Sequence, residues 1–305
     1  MNNGKKVSIA MATYNGERFL RKQLDSLFKQ TILPYEVIVV DDCSKDNTIK
    51  ILEEYKKNNG LIYYINDQNK GVNKTFERAL KECTGDYIMF CDQDDIWFPN
   101  KIEITLNKML EIENNKPAIV SSQCINIDAN DKILTYKKKK YKDPLSLEAT
   151  LIDKGFSQGC SLMINKKLIS NLNTFPENRK LYDAYISFAG ACIGNKYNIC
   201  EPLMYYRRHD QNVMGKLEKI NNHNPLKKIK SKLTNRLFPQ YRLNIIKETK
   251  DEYGHMFKPE ALKLSNEILN FNNSNIIKRI SFIFKLKNMS FQNKFLYSIT
   301  EIFYL

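Results

Sequence analysis

The stretch DYIMFCDQDDIW, residues 86–97, passes from apolar to acidic within one short segment. The part YIMF reads as the interior of a strand. Asp92, Asp94 and Asp95 then set three carboxylates within four positions, directly before Trp97, the only tryptophan of the chain. Each would ionise at about pH 4 in water. Held together they repel one another unless water, a cation or a basic partner offsets the charge. A buried strand that ends in such a cluster predicts the ligand edge of an α/β sheet, where binding occurs beyond the carboxyl ends of the strands.

The flanking sequence supports that reading. VSIAMATY (7–14), EVIVVDD (36–42), LIYYI (61–65), DYIMFCD (86–92) and PAIVSS (117–122) are short, largely apolar strand candidates. Helical spacing separates them: Phe19, Leu20, Leu24, Leu27 and Phe28 lie on one face of 17–30. Ile49, Leu52 and Tyr55 follow a helix start capped by Ser44 or Asp46. Segment 73–83 is a third helix, and 99–112 a fourth that opens at a proline. Apolar strands alternating with helices predict an α/β fold with a mainly parallel, nucleotide-binding, Rossmann-like sheet covered on both faces. Three of the strands end in TYNG (13–16), DDCS (41–44) and DQDD (92–95). A lone aspartate after a strand is most often a turn former or a helix cap. Three such ends converging on one crevice is a candidate site.

Neither GxxxxGK[ST] nor GxGxxG after the first strand occurs, so the usual phosphate cradles are missing. Anion binding would then lean on a metal, and clustered carboxylates suit Mg²⁺ or Mn²⁺, which bridge to substrate phosphates. The net charge of +14 and pI of about 9.3 favour anionic partners, although a basic balance also serves simple solubility. Seven scattered cysteines without a CxxC pair argue against a disulfide framework or structural zinc, and for a reducing compartment. The N-terminus reads as a first strand rather than a signal peptide, and no apolar run approaches the ~18 residues of a membrane span. A cytoplasmic protein is expected. Downstream, KKKK (137–140) reads as a solvated loop. Asp183 lies in an apolar, aromatic stretch, which marks it as structurally paired or kept for chemistry. A lone histidine such as His209 is more often structural than a ligand. From about residue 216 the chain turns helical and basic; its end either packs across the preceding domain or lies on the inner face of the membrane against anionic lipid.

VSIAMATYNGERFLRKQLDSLFKQT, VIVVDDCSKDNT, TGDYIMFCDQDDIW and YYRRHDQNVMG occur in that order. Together they resemble family 2 inverting glycosyltransferases of GT-A fold, the DQDDIW and YRRHDQN versions being most similar to rhamnosyltransferase-type members that build bacterial surface polysaccharides. The resemblance covers about 1–215, with a nucleotide-sugar half (1–122) and an acceptor and catalytic half (123–215), and leaves 216–305 as a helical basic extension. It implies that Thr13, Tyr14, Asn15, Asp42, Asp92 and Gln93 hold the nucleotide-sugar. Asp94, with Asp92 and His209, would bind Mn²⁺ or Mg²⁺. Asp183 would be the general base, although the chain has YD where the family usually has ED or HD. Arg207 or Arg208 could meet phosphate, and Asp95 and Trp97 are placed on the acceptor side, Trp97 having a helix-packing role as its alternative. The implied partners are a nucleotide-diphosphate sugar and a glycan or lipid-linked glycan acceptor. No enzyme nucleophile is needed for a single inverting displacement. Two other readings compete. A nucleotidyltransferase making the activated sugar would carry a Gly-rich basic N-terminal loop, which MATYNGERF is not. A nucleic-acid-binding module would need a basic face with interleaved aromatics, and the tail is only diffusely basic, so no nucleic-acid partner is expected.

Overall fold

The computed structural model describes residues 4–112, 115–136, 157–172, 182–210 and 240–286, with the single positions 147 and 150. The predicted alternation is present in its first half: β1 (Val7–Thr13), α1 (Leu20–Phe28), β2 (Glu36–Asp41), α2 (Thr48–Asn59), β3 (Ile62–Ile65), α3 (Val72–Glu82), β4 (Tyr87–Cys91) and, after a two-residue β5 (Ile96–Trp97), α4 (Lys101–Ile112). There follow β6 (Ala118–Ile127), β7 (Ile133–Thr135), a 3₁₀ turn (Gly159–Ser161), β8 (Leu162–Asn165), α5 (Lys166–Asn171), α6 (Tyr182–Ile193) and β9 (Asn195–Arg207). The described part of the basic extension forms α7 (Gln240–Tyr253), α8 (Pro259–Leu269) and α9 (Ile276–Lys285).

The strands make one sheet in the order β3-β2-β1-β4-β8-β6-β9-β5, with β7 paired to β6. Its first four strands are parallel, as expected. Strand β8 then enters antiparallel between β4 and β6, and β9 runs parallel to β6 and antiparallel to β5. The sheet is therefore mixed, and the inserted β8 brings the Gly159–Ser161 turn beside the end of β4.

Alternation along each strand divides the core. Ile9, Met11, Val39, Met89 and Val120 pack beneath α1, α2 and α4. Ala10, Val40, Ile88, Phe90 and Ile119 face α3 and α6. Helix α6 is apolar nearly all round because it lies between the sheet and the C-terminal helices. Phe188 meets Phe257 edge-on at 6.0 Å, Tyr185 approaches Tyr253 at 6.0 Å, and the Lys258 N–H bonds Cys192 O at 3.0 Å. Leu243, Ile246, Ile268 and Ile283 belong to the same apolar cluster as Ala10 and Val40. Residues 240–286 are thus packed on the sheet-bearing part of the chain. No helix among the described residues is long and apolar enough to cross a membrane. The KKKK run lies outside the described residues.

Candidate active site

The ends of β1, β2 and β4 meet where the sequence predicts. Gln93 bridges two of them: its Oε1 accepts the Tyr14 N–H at 2.8 Å and its Nε2 donates to Tyr14 O at 3.0 Å. Tyr14 is left 46% exposed with its ring free of that bridge. Asn15, in a left-handed turn at φ 48°, accepts the Lys45 N–H at 2.8 Å and so ties the β1 end to the loop after β2. Thr13 and Asp42 are placed deeper than a ligand contact. The Thr13 hydroxyl donates to Asp41 at 2.8 Å and is buried. Asp42 accepts from Asn66 Nδ2, Lys70 N and Gly71 N, each at 2.8 Å, and so shapes the loop ahead of α3.

The three carboxylates of the opening stretch separate into three environments. Asp94 Oδ2 lies 2.6 Å from His209 Nε2, with the two side chains only 11% and 10% exposed. The pair is 115 residues apart in sequence. Asp95 is fully buried; its Oδ1 accepts the Arg207 N–H at 3.0 Å, and Arg207 Nε donates to Asp94 O at 2.7 Å. These two bonds stitch β5 to β9 and set His209, two residues beyond Arg207, against Asp94. Phe19 completes the seat, with the Arg207 guanidinium 4.6 Å from its ring and the His209 ring 5.0 Å away. Asp95 consequently faces protein rather than an acceptor. Arg207 is buried too: besides Asp94 it donates to Asp128 O at 2.9 Å and pairs with Asp131 at 2.5 Å, which makes it a structural clamp and not a phosphate contact. Trp97 also departs from expectation. It is 2% exposed and packs in the apolar cluster under α1 and α4, so its face is closed to a sugar ring.

Asp92 lies deep in the crevice, close enough to Asp95 and Cys160 that their ligand atoms fall within 4.8 Å of one another. Burial first, then the Asp94 and Asp183 carboxylates, push Asp92 up to about 7. Asp183, in the first turn of α6, accepts the Ala184 N–H at 2.7 Å and the Gly159 N–H at 3.2 Å. Burial raises it above the usual carboxylate range even though those N–H groups favour its charged form. Asp183 is thus a held carboxylate of increased basicity near Asp92, a chemistry compatible with accepting a proton. Burial and the nearby Asp92 and Asp183 keep the Tyr182 phenol protonated. Its ring packs on Phe76 at 4.4 Å and Phe90 at 5.4 Å, which gives the YD departure a core function and leaves Asp183 free.

The donor set fits a divalent cation. A carboxylate and an imidazole already point at one location, Asp92 stands beside them, and buried carboxylates repel until a cation arrives. A nitrogen ligand beside oxygen ligands suits Mn²⁺ better than Mg²⁺, which prefers oxygen alone. The Cys160 thiol is held protonated by burial and the surrounding aspartates, so it is a poor ligand. Lys101 and Gly159 were not singled out in the sequence, Phe19 was read only as part of a helix face and Tyr182 only as a departure from the family pair; all four take their places from partners far along the chain. The glycine in SQGCS was the one hint, since a tight approach often demands that residue.

A family model described as Glycosyl transferase family 2 matches residues 8–172. The chain belongs to that family. Among curated relatives, the dTDP-rhamnosyl transferase RfbG of Shigella flexneri is 30% identical over 219 residues, covering 67% of this chain and 73% of RfbG. The UDP-Glc:alpha-D-GlcNAc-diphosphoundecaprenol beta-1,3-glucosyltransferase WfgD of Escherichia coli is 33% identical over 172 residues, 56% of this chain and 64% of WfgD. Among solved structures, residues 1–349 of S. aureus TarS in complex with UDP-GlcNAc superimpose with a TM-score of 0.64 at 18% identity, covering 98% of this chain and 91% of that one. The glycosyltransferase therefore has the GT-A fold, and its mixed sheet and C-terminal helices are part of that likeness.

Proposed function

We propose that this glycosyltransferase carries out a metal-dependent, inverting transfer of a sugar from a nucleotide-diphosphate donor to a glycan or lipid-linked glycan acceptor of the bacterial surface. The observation that carries the reading is the meeting of Asp94 and His209 beside Asp92, with Asp183 at the start of α6 in the same crevice. Tyr14, Asn15 and Gln93 form the exposed ledge for the nucleoside, supported from beneath by Thr13 and Asp42 through Asp41 and the 66–71 loop. Asp94 and His209, assisted by Asp92, would hold Mn²⁺ or Mg²⁺. A bound divalent cation offsets the charge that develops on the departing diphosphate. Asp183 takes the proton of the acceptor hydroxyl as its oxygen attacks the anomeric carbon from the face opposite the leaving group, so one displacement inverts the configuration. The similarity to RfbG and WfgD favours dTDP-rhamnose or UDP-glucose as first donors to try, and a diphosphate-lipid-linked acceptor.

A second, smaller proposal concerns location. Helix α9 exposes Ile277 (75%) and Phe284 (42%), with Lys278 and Lys285 also exposed, an arrangement suited to peripheral contact with anionic lipid at the cytoplasmic face.

The test of the enzymatic reading is a thermal-shift screen of nucleotide-sugars with Mn²⁺, followed by transfer assays with the stabilising donor. Asp94→Asn and His209→Ala should lose Mn²⁺-dependent transfer, and Asp183→Asn should lower turnover roughly 10²–10⁴-fold with donor binding retained. Full activity in EDTA and in Asp94→Asn would remove the metal from the mechanism; near-normal turnover of Asp183→Asn would place the base elsewhere.

A further inference from the structure

Lysine is almost never fully buried unless its charge is met, yet Lys101, the first residue of α4, has no exposed surface at all. Its ammonium donates to Cys160 O at 2.7 Å, touches Met204 Sδ at 3.0 Å and lies 4.2 Å from the centre of the Trp97 ring. The titratable groups facing it are the thiols of Cys91 on β4, Cys124 on β6 and Cys160, and the carboxylate of Asp95. Burial keeps the Cys91 and Cys160 thiols protonated and raises Asp95 well above the usual carboxylate range, so the partner that Lys101 holds on this side is the Cys160 carbonyl. The carbonyl that Lys101 grips belongs to the Gly159–Ser161 turn. That turn carries the Cys160 sulfur, which lies within 4.8 Å of the Asp92 and Asp95 oxygens, and the Gly159 N–H, which bonds Asp183. One buried side chain thereby reaches the supports of three carboxylates, two of them after β4 and one on α6.

We propose that Lys101 is a positioning residue of the active site, a fixed internal hydrogen-bond donor that anchors the Gly159–Ser161 turn and thereby holds the Gly159 N–H on Asp183. The proposal rests on the reading of Asp183 as the base of glycosyl transfer. Lys101 touches neither donor nor acceptor and acts through the turn. Its buried bond to the Cys160 carbonyl is short, at 2.7 Å, and α4, fixed in the apolar cluster by Ile102, Leu106 and Met109, gives it a rigid base.

Lys101→Met in the full-length protein keeps an apolar stem out to Cε and removes the terminal amine. Removal of the amine leaves the buried Cys160 O without its donor, which costs stability, so Tm should fall modestly while the fold is kept. Amide exchange of the Gly159–Ser161 turn should accelerate about tenfold while the amides of β1 and β4 keep their protection. Turnover should fall roughly 10–100-fold, as expected for a misplaced base, with donor KM unchanged. A purely packing role would leave exchange at the turn and kcat as in the wild type, and that result overturns the proposal. Lys101→Gln, one bond too short to reach Cys160 O, carries the same expectation if the methionine variant does not accumulate folded. Exchange at the turn is read without substrate. An accelerated turn in a chain that transfers no sugar from any donor would overturn the functional reading while leaving the anchoring role of Lys101 standing; wild-type transfer with an undisturbed turn in Lys101→Met would do the reverse.

Discussion

Gly159→Ala is the most economical way to disturb the base without touching it. Gly159 is not among the residues with a left-handed backbone, so alanine brings no conformational strain there. The obstacle is space. A Cβ at this position would lie 1.9 Å from Tyr182 Oη, 2.5 Å from its Cζ and 3.0 Å from Cε2. Ordinary contact begins near 3.4 Å, so the ring must retreat by more than an ångström at its tip or the turn must shift. The ring is held between Phe76 and Phe90, and its Cα opens α6 one residue before Asp183. Overpacking of this kind costs about 1–3 kcal/mol, equivalent to a Tm decrease of roughly 2–10 °C for a domain of this size. If the turn yields instead, the Gly159 N–H leaves Asp183 Oδ2, and a displacement near 1 Å can cost on the order of 100-fold in turnover. Circular dichroism melting and steady-state kinetics on the same preparation separate the two: ring retreat lowers Tm, turn movement lowers kcat, and donor KM should change little in either case. A variant with wild-type Tm and wild-type kcat would refute the close packing of Tyr182 on the turn.

Two further outcomes follow from the charges and surfaces. Asp92 is raised to about 7, so its contribution to stability is present below its unfolded value, about 4, and is lost as pH rises through about 7; in EDTA the Tm should fall between pH 5 and 8, less steeply in Asp92→Asn, and parallel pH curves for the two proteins would contradict the raised carboxyl. Ile277→Ser with Phe284→Ser should weaken partition onto phosphatidylglycerol vesicles about tenfold through lost apolar burial, and unchanged partition would remove α9 from the membrane contact.

Much of the first half was legible because its signals are local. Apolar runs of five or six residues between amphipathic segments can form little except buried strands and helices, and β1 to β4 lie within a residue or two of the predicted limits. Asp94, His209 and Asp183 were singled out through resemblance; the structure brings Asp94 and His209 to 2.6 Å and sets Asp183 near Asp92. What could not be read is long-range by nature. Asp95 finds its partner 112 residues away, and nothing around DQDDIW says that its third carboxylate accepts a backbone N–H from β9. Trp97 looks like a sugar platform from its neighbours in sequence; its burial is decided by the pairing of β5 with β9. Strand β8 is only four residues long, too short for periodicity to show its direction, yet its antiparallel entry beside β4 creates the turn that contacts Asp183.

The carboxylates after β4 do not act as a uniform acidic patch, because each is held by a different kind of partner. Asp95 is committed to the protein: an N–H on one oxygen and full burial make it a stitch between strands, and burial with the charges of Asp94 and Asp92 keeps it protonated well above the usual range. Asp94 is committed to the crevice, because the same stitch, doubled by Arg207 Nε on its own carbonyl, turns its carboxylate toward His209. Asp92 is raised to about 7, by burial first and then by the Asp94 and Asp183 carboxylates. A cation at Asp94 and His209 would favour the ionised form of Asp92, so cation uptake should release a proton. Asp183 is raised by a different cause, its burial, against the Ala184 and Gly159 N–H groups that favour its charged form. On the proposed reading, donor binding would add a diphosphate to this cluster, and a cation would compensate it. Clustered acids that repel one another would then be balanced by a cation and a diphosphate entering together, and that would tie a competent base to a loaded donor.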